Sequence, residues 1–220
     1  MTLILPRNSI LHGDCLKVMP TLPGASVDMI LTDPPYVTRY RDRCGRTVLN
    51  DDNADWIEPA FAEMYRLLKP GGCAVSFYGW NSIDRFAAAW TKAGFHVLGH
   101  IVFRKRYASS RGYLARHHES AYLLAKGRPN VLPLGVIGDV IDMPYTGNRL
   151  HPTQKPVAAL IPLIESFCPK GGIVLDPFCG SGSSLLAAKQ QTRDWLGIEL
   201  DPGHHRTASA RLANEMREAA

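Results

Sequence analysis

Short apolar runs alternate with segments of helical period along most of the chain. Runs of four to seven apolar-rich residues predict strands at Ser9–His12, Val27–Thr32, Cys73–Phe77, Val97–Phe103, Ala121–Ala125, Gly172–Leu175 and Trp195–Glu199. Helical spacing predicts helices over Asp55–Leu68, Ser82–Ala93, Pro156–Phe167, Ser183–Gln190 and Pro202–Ala220. Lys69-Pro70-Gly71-Gly72 and Pro169-Lys170-Gly171-Gly172 read as helix stops that lead into strands. This alternation predicts an α/β fold whose mainly parallel sheet is covered on both faces. Two segments lack a clear period: the polar Val37–Asn53 and the Gly- and Pro-containing Gly127–Leu150. Unstructured connections of that length are uncommon, so 37–53 is expected to be a mobile functional loop and 127–150 a variable insertion.

The chain has 220 residues, the size of a single α/β domain over 1–220. Hydrophobic residues at 45% and charged residues at 20% exclude disordered and fibrous classes. The net charge of +5 permits a polyanionic partner without requiring one. Five scattered cysteines, Cys15, Cys44, Cys73, Cys168 and Cys179, form no C-x-x-C pair. That pattern argues against a disulfide framework or structural metal and suits a reducing cytoplasm. The first ten residues have no apolar signal-peptide core, and no run of eighteen apolar residues predicts a membrane span. His117-His118 and His204-His205 lack metal-site spacing, so no metal is expected.

The strand at Gly172–Leu175 leads into Asp176-Pro177-Phe178-Cys179-Gly180-Ser181-Gly182-Ser183-Ser184. Strand, glycine-rich turn and helix start together make a ligand cradle. Gly180 and Gly182 allow close backbone approach, and the helix N-terminus offers free N–H groups. The next strand ends in Ile198-Glu199-Leu200-Asp201, whose acid can accept hydrogen bonds from ribose hydroxyls. G-x-G-x-x-G fails at Leu185 and no Gly-Lys dipeptide occurs, so dinucleotide and Walker loops are disfavoured. Asp176 is a poor neighbour for pyrophosphate and a good one for an amino-acid ammonium group. S-adenosylmethionine carries both an adenosine and such a group.

The strand Val27–Thr32 ends in Asp33-Pro34-Pro35-Tyr36. The two prolines stiffen the backbone and remove two donors, leaving the Asp33 carboxylate and the Pro34 carbonyl as acceptors. That pair suits a planar amino group, and Tyr36 offers a face on which a heterocycle can stack. A rigid turn with a capping Asp is the alternative for the tetrad taken alone.

Asp33–Tyr36 resembles the catalytic motif of the amino-group DNA methyltransferases. Asp176–Gly182 resembles their cofactor loop, and His151-Pro152-Thr153-Gln154-Lys155-Pro156 the motif preceding that loop in the β class. The order of motifs matches that class from about Ser9 to His205. The resemblance implies a Rossmann-like, seven-stranded methyltransferase fold, circularly permuted so that the cofactor-loop strand comes late in the chain. It implies Asp33, Pro34, Pro35 and Tyr36 as catalytic residues. Cofactor contacts are implied for Asp14, Cys15, Asp33, His151, Thr153, Lys155, Asp176, Phe178, Gly180, Ser181, Gly182 and Glu199. The short Gly127–Leu150 stands where the class has its target-recognition region.

The implied activity is methylation of the N6 amino group of a flipped-out adenine in double-stranded DNA. Cytosine-N4 methylation is the nearest alternative; an NAD-dependent oxidoreductase or a catalytically silent DNA-binding module are more distant. C5 methylation is disfavoured because no Pro-Cys dipeptide occurs. Phosphate contacts are expected from Arg39, Arg41, Arg43 and Arg46, and from Arg104, Lys105, Arg106, Arg111 and Arg116. The shortness of 127–150 leads to the expectation of a homodimer with short or relaxed target specificity.

Overall fold

A computed structural model describes residues 4–39, 41, 45, 49–109, 113–129, 137–147, 150 and 154–214. Its described strands form one sheet. They are β1 (Ser9–His12), β2 (Val27–Thr32), β3 (Leu68–Phe77), β4 (His96–Arg104), β5 (His118–Ala125), β6 (Val140–Asp142), β7 (Ile173–Asp176) and β8 (Asp194–Glu199). The spatial order is β1-β8-β7-β2-β3-β5-β4-β6. Strands β1, β8, β7, β2 and β3 pair in parallel, while β5 runs antiparallel between β3 and β4. The two late strands β7 and β8 thus lie between β1 and β2, the arrangement expected of a permuted chain.

All seven expected strands form, with different limits for several. β3 starts at Leu68 rather than Cys73 because Leu68 pairs with Val27 ahead of a bulge that ends at the Met29–Cys73 pair. Lys69–Gly72 is therefore bulged strand, and the preceding helix stops at Leu67. The antiparallel β4–β5 ladder extends both strands, so that Phe103 faces Glu119 and Arg104 faces His118. The eighth strand, β6, lies inside the 127–150 segment and pairs with β4 through Val102–Arg104.

Helices α1 (Cys15–Val18), α2 (Ile57–Leu67), α3 (Ile83–Ala93), α4 (Val157–Phe167), α5 (Ser183–Gln190) and α6 (Pro202–Asn214) pack around the sheet. α2 buries Ile57, Ala60, Phe61, Met64 and Leu67, the one-sided spacing that makes it amphipathic. Its last carbonyls are capped by the Lys126 ammonium, which donates to Tyr65 and Leu68 at 2.7 and 2.8 Å. α3 stops at Gly94, whose φ of 98° suits a residue without Cβ. α2 and α3 share one core with Trp56, Phe86 and Trp90; α4 and α5 share another with Met29, Val75 and Val174. Each fully buried side chain of this size contributes roughly 1.5–3 kcal/mol. Phe86→Ala or Leu163→Ala would open a cavity on one face or the other.

The chain leaves β2 toward β3 on one side and β7 toward β8 on the other. The carboxyl ends of β2 and β7 therefore flank a topological switch point, where open α/β sheets leave a crevice.

Candidate active site at the switch point

A cavity of about 200 Å³ opens at that crevice. Asp33, Pro34, Pro35 and Tyr36 enter from the end of β2, Pro177, Phe178 and Gly180 from the end of β7, and Glu199 and Asp201 from the end of β8. Asp14 and Cys15, after β1, complete its far wall. Four parallel strand ends thus converge on it.

The turn after β7 is shaped by its glycines. Gly182 caps α5 at a φ of 78°, and a Cβ there would lie 3.3 Å from that of Ala208. Glu199 receives the Gly180 N–H on one carboxylate oxygen and the Asp201 N–H on the other, both at 2.8 Å. Burial raises its pKa, opposed by these two donors. Each oxygen keeps a lone pair with which to accept from a ligand hydroxyl. Asp176 accepts from the Phe178 N–H at 3.1 Å and from the Ser184 hydroxyl, and burial pushes its pKa up to about 7. Asp14 caps α1 through the Leu16 N–H at 3.0 Å. Phe178 packs edge-on against Trp56 with ring centres 5.0 Å apart.

A second, smaller cavity of about 50 Å³ lies behind Asp33. Gln154, Lys155, Asp176, Ser181 and Ser183 line it. Ser181 is braced from the far side: the buried Arg211 guanidinium donates to its carbonyl at 3.1 Å and to the Ser183 hydroxyl at 3.0 Å. Arg211 was not legible as a site residue, because a lone Arg in an amphipathic C-terminal helix reads as solvated.

Around Asp33 one contact is local and the ion pairs are long-range. Its Oδ1 accepts from the Tyr36 hydroxyl at 2.7 Å, and its Oδ2 accepts from the Lys155 ammonium at 2.5 Å. Lys155 also pairs with Glu119 at 3.0 Å, and Glu119 in turn pairs with Lys105. Burial alone would raise the Glu119 pKa, but the two ammonium groups hold it down at about 2. Burial disfavours the Lys155 ammonium, yet Asp33 and Glu119 override that and raise its pKa. Burial raises the Asp33 pKa, Lys155 opposes it and Glu119 adds to it. Tyr36 is raised well above the ordinary phenol range by burial and by Asp33, so it stays a neutral donor.

Lys105 is therefore not an exposed phosphate-gripping cation: it is 6% exposed and turned inward, between the exposed Arg104 and Arg106. Arg39 and Arg41 are exposed close to the tetrad in sequence. Arg104, also exposed, pairs with Asp142 at 2.8 Å. The Arg116 guanidinium lies 4.9 Å over the Trp80 ring. Since β4 runs parallel to β3, its Arg104 end and the connection to β5 project from the same sheet edge as the tetrad. Arg43, Arg46, Arg111, His151 and Thr153 lie outside the described residues. Val37–Asn53 is pinned at both described ends. Asp51 accepts from the Thr38 N–H and hydroxyl, and the Asn50 carbonyl accepts from the Trp56 indole. Among the described residues there is no cluster of three metal-ligating side chains, and no helix is long and apolar enough to cross a membrane.

The donor set fits a nucleoside with an amino-acid tail. An acid stands ready for hydroxyls, apolar walls come from Phe178 and Leu200, and a polar recess runs behind Asp33. A family model described as DNA methylase matches residues 27–148 and 137–210. The chain is 55% identical to YubD of Escherichia coli (strain K12) over 203 residues, covering 92% of this chain and 89% of that protein. It is 29% identical to the DNA adenine methyltransferase YhdJ of the same strain over 246 residues, covering 93% and 82%. Among solved structures, the M1.HpyAVI–SAM complex superposes with a TM-score of 0.76 at 26% identity, covering 93% of this chain and 98% of that one. The cytosine-N4-specific PvuII DNA methyltransferase shares the fold, with a TM-score of 0.76 at 17% identity over 97% of this chain and 89% of its own.

Proposed function

The chain belongs to the N6/N4 DNA methylase family, and from that premise we propose that it methylates the exocyclic N6 amino group of adenine in double-stranded DNA. S-adenosylmethionine is the cofactor of this fold; when bound, it supplies an electrophilic methyl group on a sulfonium sulfur. The observation that carries the reading is the convergence of Asp33–Tyr36 with the Gly180–Glu199 half-site on one crevice.

Glu199 and the glycine turn take the adenosine side, with Asp14 and Cys15 opposite. Asp176 and the 151–155 segment take the methionine end. Asp33 and the Pro34 carbonyl accept the two hydrogens of the target amino group. Held this way, the nitrogen lone pair is freed from the ring and aimed at the methyl group, so catalysis is orientation and electrostatics without a covalent enzyme intermediate. Asp33 is the nearest carboxylate to receive the proton the nitrogen sheds after transfer. Tyr36 stacks on the flipped base, offsetting an extrusion cost of a few kcal/mol. Cys15 and Cys179, the cysteines beside the cavities, cannot serve as nucleophiles here: burial pushes Cys15 up to about 12 and raises Cys179 well above the ordinary thiol range, so both stay thiols.

The exposed Arg39, Arg41, Arg104 and Arg106 grip phosphates on the tetrad side, with Arg43 and Arg111 adding to them and the 37–53 segment engaging DNA. The protein acts as a homodimer with a short target, the second copy extending the basic surface; light scattering at twice 24.3 kDa supports this and a monomer mass rejects it. The adenine assignment is supported by the Asp-led tetrad and by similarity to YhdJ. Incubation of unmodified DNA with methyl-tritiated cofactor, followed by nucleoside analysis, tests it: label in N6-methyladenine supports it, and label in N4-methylcytosine transfers the assignment to cytosine.

A further inference from the structure

Lys105, Glu119, Lys155 and Asp33 form a chain of alternating charge running from the base of the β4–β5 hairpin to the tetrad. Its members come from four separate segments. The side chains of Lys105 and Lys155 are each 5% exposed, and those of Asp33 and Glu119 are 22% and 24% exposed. Four charges so placed sum to zero, so each cation is flanked by an anion.

Lys155 is buried at the edge of the smaller cavity. Asp33 lies in front at 2.5 Å and Glu119 behind at 3.0 Å; its ammonium stands 5.4 Å from the Tyr36 ring centre and 4.8 Å from that of Phe77. An ammonium on a four-carbon stem has three donors and many rotamers. With Asp33 as its one counter-charge, it could swing around the carboxylate. Glu119 supplies a second counter-charge 3.0 Å from the ammonium, an ion pair rather than an aligned hydrogen bond, and so restrains the ammonium position; Lys105 neutralises Glu119 in turn.

Resting on the methyl-transfer reading above, we propose that Glu119 is a positioning residue for that reaction: by holding Lys155 it sets the plane of the Asp33 carboxylate toward the target amino group. Misplacing a reacting group by about 1 Å costs on the order of 100-fold. Glu119 makes no contact with the main cavity, so its effect passes through Lys155.

Coupling is the test. Single-turnover methyl transfer at saturating cofactor is measured for wild type, Glu119→Ala, Glu119→Gln, Lys155→Gln and the Glu119→Ala/Lys155→Gln double variant, each with its melting temperature and cofactor affinity. Glu119→Ala is expected to slow transfer about 30-fold or more with cofactor affinity within about threefold of wild type. Glu119→Gln keeps the side-chain size but loses the charge and has one oxygen for two ammonium groups, so it should also slow transfer, and it stands in for Glu119→Ala should the latter not fold. In the Lys155→Gln background Glu119→Ala should cost less than about threefold, because the two residues act as one unit. A near-wild-type rate in Glu119→Ala overturns the proposal, and so does a full penalty that persists without Lys155. A second readout needs no turnover: the ¹⁵N ammonium signal of Lys155 in the free protein is expected to be sharp in wild type and lost to exchange in Glu119→Ala, and an unchanged signal counts against the proposal. A wild type that labels no DNA while keeping this signal difference would sink the methyl-transfer reading and leave the Glu119–Lys155 pairing standing.

Discussion

The two halves of the crevice are held in different ways. On the β7–β8 side the functional groups are fixed by the backbone: Glu199 by the N–H groups of Gly180 and Asp201, Asp176 by that of Phe178, Asp14 by that of Leu16. Most of these bonds span two residues, and none needs a second ionised side chain. On the tetrad side Asp33 is held by ammonium, carboxylate and ammonium in sequence, with Lys155 lying 122 residues from its partner. Apart from the Gly180–Glu199 bond, which needs β7 and β8 side by side, each bond of the first arrangement is complete whenever its own turn folds. The second exists only once β2, the β4–β5 hairpin and the segment before α4 have docked, and removal of one member leaves another charge buried and unpaired. A cofactor half-site built from turns and a substrate half-site built from ion pairs should therefore fail differently.

The largest effect is expected at Asp33. Asp33→Asn should lower the single-turnover rate by about 100- to 1,000-fold, comparable with losing a preorganised electrostatic contact to a transition state. Calorimetry should show the cofactor still binding.

Lys155→Met breaks the ion-pair half outright. Asp33 loses its cation while Glu119 keeps Lys105, so the destabilisation should be about 3 kcal/mol, read from denaturant melts. The pH–rate profile shifts as well. Asp33 must be ionised to accept the amino hydrogens, and burial already raises its pKa. Without the ammonium the carboxylate protonates at higher pH, so the acid limb should move upward. An unmoved acid limb would show that Lys155 does not bias Asp33.

Glu199→Ala attacks the other half. It should weaken cofactor affinity by roughly 1–3 kcal/mol with little loss of stability, because the freed N–H groups lie at the cavity edge. Unchanged affinity in calorimetry would remove Glu199 from the ribose site.

A smaller effect separates the halves by pH. Asp176 sits at about 7 in the free protein. Pairing with an ammonium group requires its ionised form, so cofactor affinity should be full above pH 7 and fall about tenfold per unit below it. Asp176→Asn should flatten that dependence, at a lower overall affinity.

The smallest effect concerns the exposed cations. Removing Arg39, Arg41 and Arg43 together should reduce the slope of log affinity for DNA against log salt by up to about 0.9 per lost phosphate contact. An unchanged slope would place the phosphates elsewhere.

The same contrast explains what the sequence could show. The β7–β8 site is legible because its groups are near neighbours in the chain, and the tetrad because its four residues are contiguous. Glu119 was missed because apolar patterning starts that strand at Ala121, whereas the ladder with β4 carries it back to His118. Lys105 was read with Arg104 and Arg106 as one basic run. The period of two along β4, which the burial of residues 104 to 106 continues just past the strand end, was the available signal. β6 has only three residues, too few for a period of two to show. The exchange of β7 and β8 into the middle of the sheet was legible only from the order of motifs, since hydrophobic patterning says which segments are strands and not which strands are neighbours.

The most direct measurement is the fate of a tritiated methyl group offered as S-adenosylmethionine, with unmodified duplex DNA, to wild type and to Asp33→Asn side by side. Label is expected in N6-methyladenine for wild type and almost none for the variant, with both proteins binding the cofactor. Label on another nucleoside, or equal transfer by the variant, would contradict this expectation.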